Sequence, residues 1–372
     1  MTSHASTFGQ HDSLVSALLD PAAAIECDPR QWNELLWLGR RHGLLARLYA
    51  AMTARGSLDQ IPAKALTHLR AAAITAESSQ TAVGYEINRV LRALGGMDVP
   101  VVLLKGAAYM AAGLPPARGR LVGDLDLMVP RSRIDEVERA LVSNGWAASE
   151  ISAYDQRYYR DSMHEIPPLQ HPQRDTPVDI HHTIAPPTSR ARVDAHALFA
   201  TSKPITGTSL LMLAPADMVL HSAYHLFNDE VGKPLRDLFD LHDLFGHFGA
   251  RPGFWDELFV RARLHGLGRP LYYALRYTRR TLGTSIPTEV EQAAARDAPP
   301  APINGLMDRV FDSRFRPEPL RGRRPGAGLA RGVCYLRAHW LRMPPHKLAH
   351  HLAIKAFARA RAAYIATRGA KD

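Results

Sequence analysis

The chain has 372 residues, 46% of them hydrophobic, enough for two or three compact units with substantial cores. No apolar run approaches the roughly 20 residues of a bilayer span, and the polar opening MTSHASTFGQHDS lacks the apolar middle of a secretory signal, so a cytoplasmic protein is expected. Cys27 and Cys334 lie far apart with no second thiol at ligand spacing, which argues against a disulfide framework or a zinc-thiolate site. The net charge of +10 is uneven: from Arg314 to Asp372, 14 Lys/Arg face two acids, giving +12, while everything before sums to −2.

From Asp12 to about Leu94 the pattern is helical. Trp32, Leu35, Leu36 and Leu38, then Leu44, Leu45 and Leu48, recur at three- and four-residue spacing, and 62–94 holds no strong breaker except Gly84. Gly95-Gly96 supply a stop. DVPVVLLKG then reads as a short buried strand ending on Lys105-Gly106, followed by a short helix and the breaker Pro115-Pro116. RGRLVGDLDLMVP supplies the next strand. SRIDEVERALVSNGW predicts a helix with Ser132 as N-cap and Gly145 at its stop. Irregular, β-leaning segments follow around 146–151 and EIPPLQHP, and TPVDIHHTI is a further strand. Together these describe a small α/β unit from about 97 to 205.

Beyond Pro215, four stretches again carry apolar residues at helical spacing: PADMVLHSAYHLFND, PLRDLFDLHDLFGHF, PGFWDELFVRARLHGL and RPLYYALRYTRRTLG. RFRPEPLRGRRPGAG looks like a linker, and one or two basic helices complete the sequence, with Trp340, Leu341, Leu348, Leu352, Ile354 and Phe357 as an apolar stripe. The expected organisation is a helical region over 1–95, an α/β core over 96–210, a helical region over 211–310, and a basic linker with helices over 311–372. The basic segment suits an acidic, nucleic-acid or membrane-surface partner, a docking role on the protein itself, or a plain solvated face.

The chemistry concentrates in GDLDLMV. Side chains alternate along a strand, so Leu125, Leu127 and Val129 share one face and Asp124 and Asp126 the other, roughly 6.5 to 7 Å apart. Two like charges on one face are costly unless a cation sits between them, and a hard divalent cation is the simplest answer. PVDIHH repeats the pattern: Asp179 and His181 oppose Val178 and Ile180, and if this strand lies beside the first, Asp179 becomes a third carboxylate. Lys105-Gly106, Arg118 and Arg120 are candidate phosphate contacts. His181 is a candidate substrate contact or an orienter of a carboxylate. An isolated D-x-D also occurs on exposed edge strands and Lys-Gly in ordinary turns, so it is their occurrence in order that points to a site. His221 and His225, at i and i+4, have the spacing of a metal pair, but with no H-E-x-x-H they read as cleft-lining or buried groups.

These residues carry a resemblance. The stretch from Val99 to Trp146, with L-L-K-G, an arginine shortly before D-L-D-L-M-V and a helix closing on Gly-Trp, resembles an uncharacterised bacterial nucleotidyltransferase family of the polymerase-β-like superfamily; VDIHH, DMVLHSAYH and RDLFDLHDLF resemble its later motifs. The resemblance implies an α+β fold: a small mixed-sheet nucleotidyltransferase core flanked by N- and C-terminal helical regions. It further implies Mg²⁺ or Mn²⁺ held by Asp124, Asp126 and Asp179, and a nucleoside triphosphate, with ATP as the expected one. Lys105-Gly106 stand where the superfamily carries Gly-Ser at the triphosphate. The implied reaction moves a nucleoside monophosphate to a hydroxyl or phosphate acceptor, a peptide or secondary-metabolite product among the candidates. Phosphoryl transfer and a non-catalytic nucleotide-binding module are the alternatives.

Overall fold

Capping sets the first helices. In the computed structural model, which describes residues 13–148, 151–228, 232–317, 324–346 and 348–349, Asp28 opens the helix Pro29–His42. Its carboxylate accepts from the Arg30 and Gln31 amides at 2.7 and 2.9 Å, and Gln31 accepts in return from the Asp28 amide. Gly43, at φ 68°, ends this helix. Helix Leu45–Arg55 follows, and then the helix Ala63–Ala93, uninterrupted at Gly84.

Seven short strands form one mixed sheet: β1 (Val102–Leu103), β2 (Leu125–Met128), β3 (Ala147–Ala148), β4 (Leu169–Gln170), β5 (Val178–His181), β6 (Lys203–Pro204) and β7 (Leu211–Met212), in the order β3-β4-β5-β2-β1-β7-β6. At its centre β2 and β5 run parallel, with Asp126 opposite Asp179 and Met128 opposite His181. β1 pairs antiparallel to β2 and parallel to β7. The sheet therefore extends to Met212, two residues past the boundary read from the sequence.

Two cores pack around this sheet. A smaller one sets Leu125, Leu127, Val129, Val178 and Ile180 against Val83, Ile87 and Val90 of the long helix and Val137 and Leu141 of helix Ile134–Ser143. A larger one unites the N-terminal helices, through Leu14, Leu35, Leu48 and Leu69, with helices from beyond the sheet: Pro215–Asn228, Pro234–Phe248, Phe254–Leu264, Gly268–Leu282 and Ala301–Phe315. Helical segments on either side of the sheet in sequence thus form one body. Helix Pro215–Asn228 is buried nearly all round, and Phe227 meets Tyr273, Tyr277, Phe311 and Phe315 in an aromatic cluster with centroids 5.0 to 6.1 Å from it.

Several expectations shift. Ser132 does not cap: a 3-10 turn, Arg131–Arg133, leads into the helix, whose first turn carries Asp135 and Glu136 at its positive end. Between the two β-leaning segments, in a stretch the sequence pattern leaves unassigned, lies a helix, Ala153–Ser162. The Pro/Arg/Gly-rich linker begins later than read, because Ala301–Phe315 is helical; a basic helix, Ala327–Arg342, then forms as expected. Trp340 is 45% exposed beneath the Arg190 guanidinium, whereas Leu352, Ile354 and Phe357 lie outside the described residues. Among the described residues no helix is long and apolar enough to cross a membrane.

Candidate active site

The parallel register of β2 and β5 brings the aspartates together. Asp124, Asp126 and Asp179 each place a carboxylate oxygen within 4.8 Å of the others. Asp124 is exposed at the mouth, Asp126 is 5% exposed, and Asp179 is half-buried. They lie in a cleft of about 480 Å³ that Lys105, Gly106 and Arg120 also line. A larger, more apolar cavity of about 740 Å³, lined by Pro130, His182 and Thr183 among others, holds none of the three aspartates.

The three carboxyls differ electrostatically. Burial works against the Asp126 charge, but the Lys105 ammonium, 3.4 Å away, and a 3.0 Å hydrogen bond donated by His181 Nε2 prevail and hold it below the usual carboxylate range. Asp179 is pushed up to about 7, by burial first and then by Asp126 and Glu165. Asp124 is also raised, by desolvation and then by Asp126, with Lys105 opposing. Asp179 Oδ1 is buried without a hydrogen-bond partner. Three convergent carboxylates, of which Asp179 is both orphaned at Oδ1 and raised by burial and its acidic neighbours, fit a hard divalent cation.

Lys105 has a backbone cost. It opens the helix Lys105–Ala111 at φ 41°, the one non-glycine residue in the left-handed region among those described. Gly106 cannot easily be larger, since a Cβ there would stand 3.2 Å from Arg120 Nε and from a Val122 methyl. The loop before β2 is clamped by the long helix: Gln80 donates to the Ala117 and Arg120 carbonyls at 2.9 and 2.8 Å, and the Val122 amide donates to Ser79 Oγ at 3.2 Å. Gly119, at φ 62°, presses on the Ala46–Arg47 backbone, where a Cβ would fall 2.4 Å from the Ala46 carbonyl.

The two loop arginines part company. Arg118 is exposed and lies outside the cleft lining, so its expected phosphate contact is not supported by its position. Arg120 lines the cleft, but its guanidinium donates to Asp240 at 2.5 Å and lies 5.7 Å from the Tyr109 ring centroid, tying the loop to helix Pro234–Phe248. His181 is fully buried, with Nε2 also 3.4 Å from Glu165 Oε2. His221 is buried and its pKa sits well below the ordinary histidine value, through burial and then Lys105, while His225 lines the cleft; among the described residues they share no three-ligand group.

Sequence reasoning offers His225 as a cleft-lining or buried group but misses the rest of the opposite wall. Lys233 and Arg236 from the helical body, Arg342 from the basic helix, and Tyr159, His164 and Glu165 from the segment before β4 complete the lining with His225. Glu165 reaches it because residues 164–166 run beside β5: the Ile166 amide donates to the Ile180 carbonyl, and the His182 amide to that of His164. The cleft thus has an acidic sheet side and a basic helical side.

Comparison with known proteins follows this geometry. A search of curated proteins finds no match. Among solved structures, the antibiotic-resistance factor ANT(2'')-Ia in solution aligns at 19% identity and a TM-score of 0.32, covering 54% of this chain and 97% of that one. The crystal structure of ANT(2'')-Ia in complex with adenylyl-2''-tobramycin aligns at 17% identity and 0.33, covering 53% and 99%. The family described as uncharacterised nucleotidyltransferase matches residues 28–283, well over half of the sequence, and the chain belongs to that family: it is a nucleotidyltransferase.

Proposed function

We propose that the cleft binds a nucleoside triphosphate, ATP in the first instance, with Mg²⁺ or Mn²⁺, and transfers its nucleoside monophosphate to a hydroxyl acceptor. The observation that carries this reading is the convergence of Asp124, Asp126 and Asp179 from two parallel strands, with Asp179 Oδ1 buried and unpartnered. These three residues would hold the cation, which supplies charge neutralisation at the phosphates when bound. His181 fixes Asp126 in its rotamer. Lys105, which neutralises Asp126, stands ready to exchange that partner for a phosphate oxygen, and Arg236 offers positive charge from the opposite wall.

In the transfer, the acceptor oxygen bonds to the α-phosphorus as that phosphorus loses its bond to the bridging oxygen of the β-phosphate, and pyrophosphate leaves. The acceptor's proton passes to Asp179, the carboxylate that β5 sets opposite Asp126. Incubation with α- and γ-labelled ATP, Mg²⁺ and a metabolite extract tests the reading. Label from the α position in product is expected. Label from the γ position alone would make the protein a phosphotransferase, and neither label would leave a nucleotide-binding module. Asp124→Asn, at an exposed position, should fold normally and lose about a thousandfold or more in transfer; full activity in an Asp124→Asn, Asp126→Asn double variant would end this account.

For the basic segment beyond Arg314 we propose an anionic partner, nucleic acid being the one to test first. Binding that weakens steeply with salt, and weakens further in a chain ending at 346 that lacks six of the fourteen Lys/Arg, is the expected outcome.

A further inference from the structure

A second cavity opens against the cleft. It has a volume of about 260 Å³ and lies between the helices Pro29–His42, Leu45–Arg55 and Ala63–Ala93; Leu121 and Lys233 line both this cavity and the carboxylate cleft, so the two share a wall. Its polar lining is Arg40, His68, Thr75 and Lys233, and the remainder is Gly, Ala and Leu. Among the described residues no carboxylate and no Phe, Tyr or Trp lines it.

The small residues are what leave the space. Gly43 is the left-handed cap of its helix, and a Cβ there would stand 2.8 Å from Lys233 Nζ, which locates that ammonium at the junction of the two cavities. Gly119 forms another part of the wall from its own left-handed turn. Arg40 Nη2 lies 3.5 Å from His68 Nδ1 across the exposed rim.

Charge and shape narrow the occupant. A nucleobase gains most of its binding from stacking, for which this lining offers only the His68 imidazole and the Arg40 guanidinium on the exposed rim and no Phe, Tyr or Trp. A polycationic ligand would meet Arg40 and Lys233 with nothing to offset the repulsion. A compact molecule bearing a carboxylate or phosphate meets two cations, a hydroxyl and a small-residue floor. We propose that this cavity is the acceptor pocket of the nucleotidyl transfer, and that it takes a compact acceptor carrying an anionic group, held at Lys233 and Arg40 so that its hydroxyl enters the carboxylate cleft. The proposal rests on the nucleotidyl-transfer reading above for the word acceptor, while the anion site itself does not.

Calorimetric titration of the full chain separates the two. The probes are glycerol 3-phosphate and phosphoserine, with glycerol and the polycation tobramycin as controls, each added with and without a saturating non-hydrolysable ATP analogue and Mg²⁺. The expected result is that at least one anionic probe binds, that neither control does, and that binding persists with the analogue present. Ala71→Phe, at an exposed position that fills the cavity, and Arg40→Gln should each weaken it about tenfold or more, the loss of one charge-assisted hydrogen bond. Failure of both anionic probes to bind, equal binding to the two variants, competition by the analogue, or binding of tobramycin would each overturn the proposal. Binding of an anionic probe together with no binding of the analogue to wild type would instead overturn the nucleotide reading and leave the anion site standing.

Discussion

Lys105 carries both a charge and a strained backbone, and the two separate by substitution. A non-glycine residue in the left-handed region costs about 1–2 kcal/mol, and here the position presents an ammonium to Asp126. Lys105→Ala and Lys105→Gly remove the same charge, but only glycine relieves the backbone, so urea unfolding should find the glycine variant more stable by about 1 kcal/mol, with both equally impaired in transfer. Asp179 gives a pH signature. Its folded pKa of about 7 lies above its unfolded value, so its stabilising contribution is complete in acid and is lost as pH rises through 7. At the proposed cation site Mg²⁺ would reverse that loss, so it should raise the melting temperature more at pH 8 than at pH 5.5, and Asp179→Asn should abolish the difference. At this scale the sequence was informative where alternation governs: Asp124, Asp126 and Asp179 oppose apolar neighbours that must be buried. It was silent where a loop governs. Nothing in RGR says which arginine turns inward; the left-handed Gly119 between them decides it.

The elements that hold the site are short strands and one long helix. β2 is four residues long, and the loop feeding it depends on Ser79 and Gln80. Gln80→Ala frees two carbonyls and should cost about 1–2 kcal/mol in unfolding measurements, with a raised KM for the nucleotide. Gly119→Ala should cost more, about 3 kcal/mol or above, since it adds both a forbidden φ and a clash with the Ala46 backbone. Helices with an apolar stripe could be read from the sequence nearly to the residue, as for Pro234–Phe248. Helix Ala153–Ser162 could not, because AYDQRYYRDS has tyrosines and charges but no aliphatic stripe. With it went the segment that delivers Tyr159, His164 and Glu165 to the cleft.

At the scale of the molecule, the sequence suggested two helical regions flanking a sheet, while the structure has one helical body assembled from both. Periodicity reports that a face is buried, not what covers it, and so the basic wall of Lys233, Arg236 and Arg342 could not be placed opposite the aspartates beforehand. A fragment spanning 96–372 leaves the larger core without Leu14, Leu35 and Leu48. Circular dichroism and gel filtration should show it unfolded or aggregated; a monomeric fragment with cooperative melting would contradict the shared core.

That shared core also bears on the order in which the protein is made. Synthesis delivers the N-terminal helices first and the three aspartates next, all before the helices that bring Lys233, Arg236 and the aromatic partners of Phe227. Until the helices beyond the sheet have emerged, the early helices have only one another to pack against, and the carboxylates lack the wall that Lys233, Arg236 and Arg342 supply. A nascent or prematurely terminated chain therefore displays the aspartate motif without the complete cleft lining.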